Sequence, residues 1–278
     1  MNSQNSTNKV ALVTGASSGM GKDFALALLK EGYVVYGAAR RVEKMHEIEA
    51  AGGIALAMDI TDEEQVNTAV QAIQEQHSGI DVLINNAGFG LYGAVEDIDI
   101  EKARYQFEVN LFGLARLTQL LLPGMRSKGA GKIINISSMG GKVYTPLGAW
   151  YHATKHALEG WSDCLRIELN SFGIDVVVIE PGAIDTEFGE VMIGPMIENS
   201  GKTAYATLVE KLSKSLIEAY EKQGASSTQV ITDLMLKAVR AKQPQTRYVG
   251  GKFAKPMMFV RKWFGDRAYD RMVLSMIK

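Results

Sequence analysis

The chain has 278 residues, 46% apolar and 22% charged, with a formal net charge of −1. That length and balance are ordinary for one soluble globular domain with a large core, and they give no electrostatic reason to expect nucleic acid as a partner. The single cysteine, Cys164, cannot close an internal disulfide, which fits a reducing, cytoplasmic setting.

Met1 to Asn8 is polar and uncharged, without the apolar core of a signal peptide, so residues 1–8 read as a frayed tail. Lys9 to Val13 forms a first apolar strand that runs into Thr14-Gly15-Ala16-Ser17-Ser18-Gly19-Met20-Gly21 and then a helical pattern through Phe24, Ala25, Leu28 and Leu29. Strand, glycine turn and helix make a phosphate-binding layout: glycines let the backbone approach a pyrophosphate, and the helix N-terminus offers free N–H groups and a positive dipole end. Tyr33 to Ala39 is a second strand. It ends in Ala39-Arg40-Arg41 with no carboxylate before Glu43. An acidic residue there suits the ribose 2′-hydroxyl of NAD, and arginine suits a 2′-phosphate, so NADP(H) is favoured over NAD(H).

Ile54 to Met58 is a third strand closed by Asp59, which falls where the strand would reach an adenine ring or else simply caps a turn. Thr61-x-x-Glu64 reads as a capping box for the helix that follows. Asp81 to Asn85 is a fourth strand, and Asn85-Asn86-Ala87-Gly88 a tight turn at its carboxyl end, where ligands of open α/β sheets lie. A long helix is expected from Ile100 to Arg126, with Asn110 in its middle, a disfavoured place for a side chain that competes for backbone hydrogen bonds. Lys132 to Ser137 and Ile174 to Ile179 are the fifth and sixth strands, the latter broken by Pro181-Gly182. A helix from Thr228 to Ala241 and a strand near Thr246 to Val249 complete the series. Strands alternating with helix-length crossovers imply an α/β fold, a single-domain doubly wound parallel sheet of about seven strands (a Rossmann fold) over residues 9–250.

Between the fifth and sixth strands, Tyr151 to Phe172 reads as a helix by the spacing of Ala157, Leu158, Trp161, Leu165 and Leu169. Tyr151 and Lys155 stand four apart on one face, about 5–6 Å from each other. A phenol with an ordinary pKa of about 10 is idle as a base at neutral pH, and a neighbouring ammonium favours the phenolate. Tyr248 also precedes a lysine, Lys252, by four residues, but Gly250 and Gly251 intervene and make a helix improbable there. His152 and His156 share a helix face without an evident third ligand, which predicts packing or surface roles rather than a metal site. Cys164, in the same helix, is expected to be a buried spacer.

The glycine turn at 15 to 21, Asn85 to Gly88, Asn110, Ser138, Tyr151, Lys155 and Pro181-Gly182 occur in that order, and the sequence resembles the short-chain dehydrogenase/reductases over about Lys9 to Thr186. The resemblance implies a carbonyl–alcohol oxidoreductase. Tyr151 would be the acid–base, Lys155 would assist it and hold the nicotinamide ribose, Ser138 would hydrogen-bond the substrate oxygen, and Asn110 would anchor a water serving Lys155. Gly15, Ser18, Met20, Gly21, Arg40, Asp59, Asn86, Ala87, Gly88, Tyr151, Lys155, Ile184 and Thr186 would touch the cofactor. No metal is required. Relatives pair through the helices around Phe107 to Leu121 and Tyr151 to Phe172, which implies a homodimer or homotetramer. A regulator that senses NADP(H) without turning it over is the alternative; the presence of Asn110, Ser138, Tyr151 and Lys155 together favours the enzyme.

Residues 187–225 form a candidate substrate flap. Its first part, Phe188 to Tyr205, carries Met192, Ile193, Met196 and Ile197 among glycines, consistent equally with an apolar pocket wall and with a helix packed on the core. An apolar wall would suit a hydrophobic small-molecule carbonyl or alcohol, with steroid, retinoid, fatty-acyl and xenobiotic groups all open. The extension at 251–278 mixes Met257, Met258, Phe259, Trp263 and Phe264 with seven cations against Asp266 and Asp270. Such a basic amphipathic stretch can seal the core or pocket, cover another subunit or lie on a membrane surface as a peripheral contact.

Overall fold

The computed structural model describes residues 8–221 and 224–277, so the tail expected at residues 1–8 (apart from Asn8), two flap positions and Lys278 lie outside the described residues. The strands are β1 (Val10–Thr14), β2 (Val34–Ala39), β3 (Ile54–Ala57), β4 (Val82–Asn85), β5 (Gly131–Ile136), β6 (Ile174–Pro181) and β7 (Arg247–Gly250). All pair in parallel in one sheet, in the order β3-β2-β1-β4-β5-β6-β7. The order reverses at β1, and the crevice between β1 and β4 is where such a sheet binds its ligand. The helices are α1 (Gly19–Lys30), α2 (His46–Ala50), α3 (Glu63–Gln76), α4 (Ile100–Phe107), α5 (Leu114–Lys128), α6 (Ala149–Leu169), α7 (Phe188–Ser200), α8 (Ala206–Glu221), α9 (Gln229–Arg240) and α10 (Ala254–Met276).

A parallel sheet buries both faces, so its strands are apolar throughout and alternate residues serve opposite layers. In β1, Ala11 and Val13 pack in one layer with Phe24, Leu28, Ile231 and Met235 of α1 and α9. Val10 and Leu12 pack in the other with Val70, Ile73, Leu117, Leu121 and Leu165 of α3, α5 and α6. Each of the larger fully buried side chains, the valines, leucines, isoleucines, Phe24 and Met235, contributes about 1.5–3 kcal/mol. A third cluster joins Tyr92, Tyr151, Met192, Met196, Leu212, Met257 and Val273, and holds α7, α8 and α10 over the loops that follow the strands.

Several local expectations change. The helix expected over Ile100 to Arg126 is interrupted by a π turn, Glu108–Gly113, because the Asn110 side chain is drawn out to the backbone of Phe89. Gly113 ends that turn against β3's loop, where a Cβ would lie 2.5 Å from the Ile60 carbonyl oxygen. The cap of α3 is Asp62, whose carboxylate accepts from the Gln65 amide at 3.1 Å. Thr61 instead donates twice to Asp59, so the Thr61–Glu64 capping box does not form. β6 runs through Pro181, which lies past Ile179, the last residue paired with β5, so its missing N–H costs no ladder bond on that side. Cys164 is exposed, not buried, since α6 turns Ser162 and Leu165 inward on either side of it. The C-terminal extension carries α10, which Gly265, at φ 75° and ψ −177°, divides into two helical halves.

β7 is fastened by charge. Arg247 pairs with Asp163 at 2.7 Å, with Glu159 at 3.0 Å and with Glu180 at 3.4 Å, and Lys142 reaches Glu159 at 2.9 Å. Burial, followed by the neighbouring Glu159, pushes the Glu180 carboxyl above the ordinary carboxylate range.

Candidate active site

The crevice is assembled by backbone contacts at the ends of β1 and β4. The Thr14 hydroxyl accepts from the amides of Asn86 and Ala87, each at 3.0 Å, and the Asn86 amide group donates to the carbonyls of Thr14 and Gly15. Gly15 adopts φ +65°, a left-handed conformation that favours glycine. Gly21 is packed against this turn: a Cβ there would fall 2.2 Å from the Gly15 carbonyl oxygen. The following helix, α1, begins at Ser18 with no side-chain cap and no acidic residue in its first turn, so its N-terminal N–H groups are left to an anion.

A cavity of about 1070 Å³ extends from this turn across the carboxyl ends of the strands. Gly15, Ser17, Ser18, Arg40, Arg41 and Asp59 line one end, Asn86, Ala87, Gly88, Ser138, Tyr151, Lys155, Ile184 and Thr186 the middle. Met20 lines it too, whereas Gly21 and Asn110 stand behind the wall. Arg40 donates to the Tyr105 hydroxyl at 3.3 Å, and Arg41 donates to Ser18 at 3.2 Å and pairs with Glu187 at 3.6 Å. The far end is mostly apolar, walled by Val143 and Met192 and by Leu212, Leu216, Met257 and Val273 of α8 and α10, with Ser215 and Glu218 of α8 its polar members.

Lys155 is 7% exposed and donates to the Ile136 carbonyl, at the end of β5, at 2.9 Å. Burial pulls its ammonium down to about 8. Asn110 brackets Phe89, accepting from its amide at 3.0 Å and donating to its carbonyl at 2.9 Å, and it also donates to Thr154 at 3.1 Å. Its amide therefore fastens the turn after β4 to α6. Gly88 sits between the two: a Cβ there would lie 3.1 Å from Asn110 Oδ1 and 3.8 Å from Lys155 Nζ. Ser138 accepts from the Gly140 amide at 2.9 Å, which opens a short 3-10 turn and holds the hydroxyl at the cavity wall. Tyr151 is 6% exposed, its ring 5.7 Å from that of Tyr92.

His152 is the residue whose importance its spacing did not reveal. Its Nε2 accepts from the Thr145 amide at 3.0 Å, which places the ring proton on Nδ1, and Nδ1–H donates to the Gly140 carbonyl at 3.0 Å. Burial holds this imidazole down at about 4, so it is neutral across the physiological range. It stitches the loop that carries Ser138 to the helix that carries Tyr151, and it does so as a packing residue; among the described residues no group of three metal-binding side chains exists. Tyr92 was likewise missed, a lone tyrosine in a glycine-rich loop with no periodicity to mark it.

Residues 9–192 match the family profile described as short chain dehydrogenase. The chain belongs to the short-chain dehydrogenase/reductase family. The NADPH-dependent 3-dehydrocapnine reductase of Ornithobacterium rhinotracheale is 35% identical over 97% of this chain and 98% of its own. A short-chain dehydrogenase from Streptomyces avermitilis has the same fold with a TM-score of 0.80, at 34% identity over 92% of this chain and 93% of its own. A short-chain dehydrogenase from Burkholderia cenocepacia in complex with NADP follows with a TM-score of 0.74, at 27% identity over 96% of this chain and 98% of its own. Membership makes the chain a dehydrogenase/reductase acting between CH–OH and C=O groups.

Replacing His152 with Phe keeps a planar ring and removes the ring's hydrogen bonds to Thr145 and Gly140. Hydrogen exchange of the peptide covering Thr145 is expected to accelerate at least about tenfold, with a stability loss of about 1–3 kcal/mol. Unchanged exchange would contradict the stitching role.

Proposed function

We propose that the protein is an NADP(H)-dependent oxidoreductase that interconverts a ketone or aldehyde and the corresponding alcohol on a hydrophobic small molecule. The observation that carries this reading is the single cavity wall shared by Ser138, Tyr151 and Lys155, anion-binding at one end and apolar at the other. The donor set fits the phosphorylated dinucleotide. The uncapped N-terminus of α1 suits the pyrophosphate, and Ser17, Ser18, Arg40 and Arg41 suit a 2′-phosphate, since the carboxylate of Glu187 is already paired with Arg41. When bound, NADPH supplies the hydride.

The side chains handle the proton. Tyr151 gives its phenolic proton to the carbonyl oxygen as that oxygen becomes an alkoxide, and takes it back in the reverse direction. Ser138, fixed by Gly140, donates to the same oxygen as charge builds on it. Lys155 stabilises the phenolate left behind, its ammonium aimed by the Ile136 carbonyl. Asn110 acts on the pair at one remove, by holding the turn at Gly88 and Phe89 against α6. Val143, Met192, Leu212, Leu216, Met257 and Val273 exclude water and set a preference for an apolar substrate. The NADPH-dependent reductase from Ornithobacterium supports both the cofactor and the direction of the reading. Exposed Phe112 and Tyr105 near α4 and α5, and Ile167 and Phe172 near the end of α6, suit self-association into a homo-oligomer.

Tyr151→Phe is expected to lower kcat by about 10²–10⁴-fold while NADPH affinity changes by less than about threefold. Measured by NADPH absorbance on a graded set of ketones and aldehydes, substantial residual turnover would remove Tyr151 from its role. Arg40→Asp should move the ratio of specificity constants towards NADH by at least about tenfold, since it exchanges a cation for the carboxylate that a ribose hydroxyl prefers. An unchanged ratio would contradict the placement of the 2′-phosphate.

A further inference from the structure

The outer face of α10 presents Phe259, Trp263 and Phe264 at 56%, 66% and 65% exposure. These rings are gathered rather than scattered: Phe259 lies 6.5 Å from Trp263 and 6.0 Å from Phe264 between centroids. Single exposed apolar residues are ordinary on a soluble protein, but a contiguous aromatic patch marks an interaction site. Gly265 shapes it, because the break in the helix directly after Phe264 ends the run of three rings at the corner of the element.

The charges around the patch are one-sided. Lys255, Lys262, Arg267 and Arg271 are exposed on α10, and the Lys262 ammonium stands 5.2 Å over the Trp263 ring. Both carboxylates of the helix are already engaged, Asp266 by Arg261 and Asp270 by the Tyr144 hydroxyl. With five cations against two carboxylates α10 carries +3, while the whole chain carries −1, leaving −4 on the remainder. The opposite face of the same element walls the apolar end of the cavity through Met257 and Val273, and Met276 both lines that cavity and is half exposed.

We infer that α10 docks the protein on the surface of an anionic bilayer. The three rings enter the interface between headgroups and acyl chains, and the cations meet lipid phosphates. A second copy of the chain is a poorer occupant: two-fold pairing on this patch would bring the net +3 of each α10 against the other's. The docking deepens the proposed function by naming the substrate's source, since the apolar cavity end would meet a carbonyl compound carried in the lipid. That last step rests on the proposed function; the docking itself does not.

The test floats the full-length protein with vesicles of phosphatidylcholine alone or with about 30 mol % phosphatidylglycerol. Binding to the anionic vesicles is expected to be at least about tenfold stronger and to weaken in about 0.5 M salt. Trp263 emission, read as the difference from Trp263→Phe, should shift to the blue. Replacing Phe259, Trp263 and Phe264 together by Ser should abolish vesicle binding while NADPH-dependent turnover of a small water-soluble ketone persists, because none of the three lines the cavity. A second variant, Lys255→Glu with Lys262→Glu and Arg267→Glu, should lose the preference for anionic lipid. Wild-type protein that ignores both vesicles overturns the inference, as does a triple Ser variant that binds like wild type or one that only converts a dimer to a monomer. Vesicle binding in a preparation that turns over no ketone would strike the enzymatic reading and support the docking.

Discussion

The site depends on one buried cation. An ammonium taken out of water is tolerated only where fixed dipoles replace its hydration, and Lys155 finds one in the Ile136 carbonyl at the end of β5. That bond ties α6 to the sheet at the level of the cavity. The turn at Gly88 is locked beside it by the Asn110 side chain, and the Ser138 loop is locked to α6 by His152. The end of β5 and the loops that follow β4 and β5 are thereby set around one helical turn, which is the preorganisation that the proposed proton transfer would require.

The strands, their order of appearance and the residues of the cavity wall were legible because each leaves a local trace. Parallel strands are apolar runs, the glycine turn must follow the first of them, and Tyr151 and Lys155 must be one helical turn apart. What the sequence did not reveal depends on contacts between distant segments. The π turn at Glu108–Gly113 exists because Phe89, twenty-one residues from Asn110, offers both a donor and an acceptor. His152 looks like any helical histidine until Gly140 and Thr145 are brought to it. The failed capping box at Thr61 is a local competition instead: Asp59, two residues away, takes both donors of the threonine. Cys164 was misjudged because helical periodicity places a face but not the neighbour that covers it.

The two ends of the cavity are built differently. The end at the glycine turn combines closely approaching backbone of β1, β2 and β4 with the side chains of Ser18, Arg40 and Arg41, and it lies within the residues matched by the family profile, 9–192. The mostly apolar end is made mainly of side chains from α7, α8 and α10, most of them beyond that match. Shape there can change without disturbing the sheet. α10 serves two surfaces at once, an apolar wall inside and aromatic rings outside, and the break at Gly265 lets its two halves take different directions.

If charged Lys155 supports both dinucleotide binding and the proton step, the pH dependence of kcat/KM for NADPH exposes it, because that ratio reports groups of the free enzyme. With the Lys155 ammonium drawn down to about 8 by burial, its charge is present below that pH and lost above it, so kcat/KM should hold up to neutrality and fall as pH rises past about 8. A profile that stays flat through that range, or one that Lys155→Met leaves unaltered in height and shape, would contradict the account.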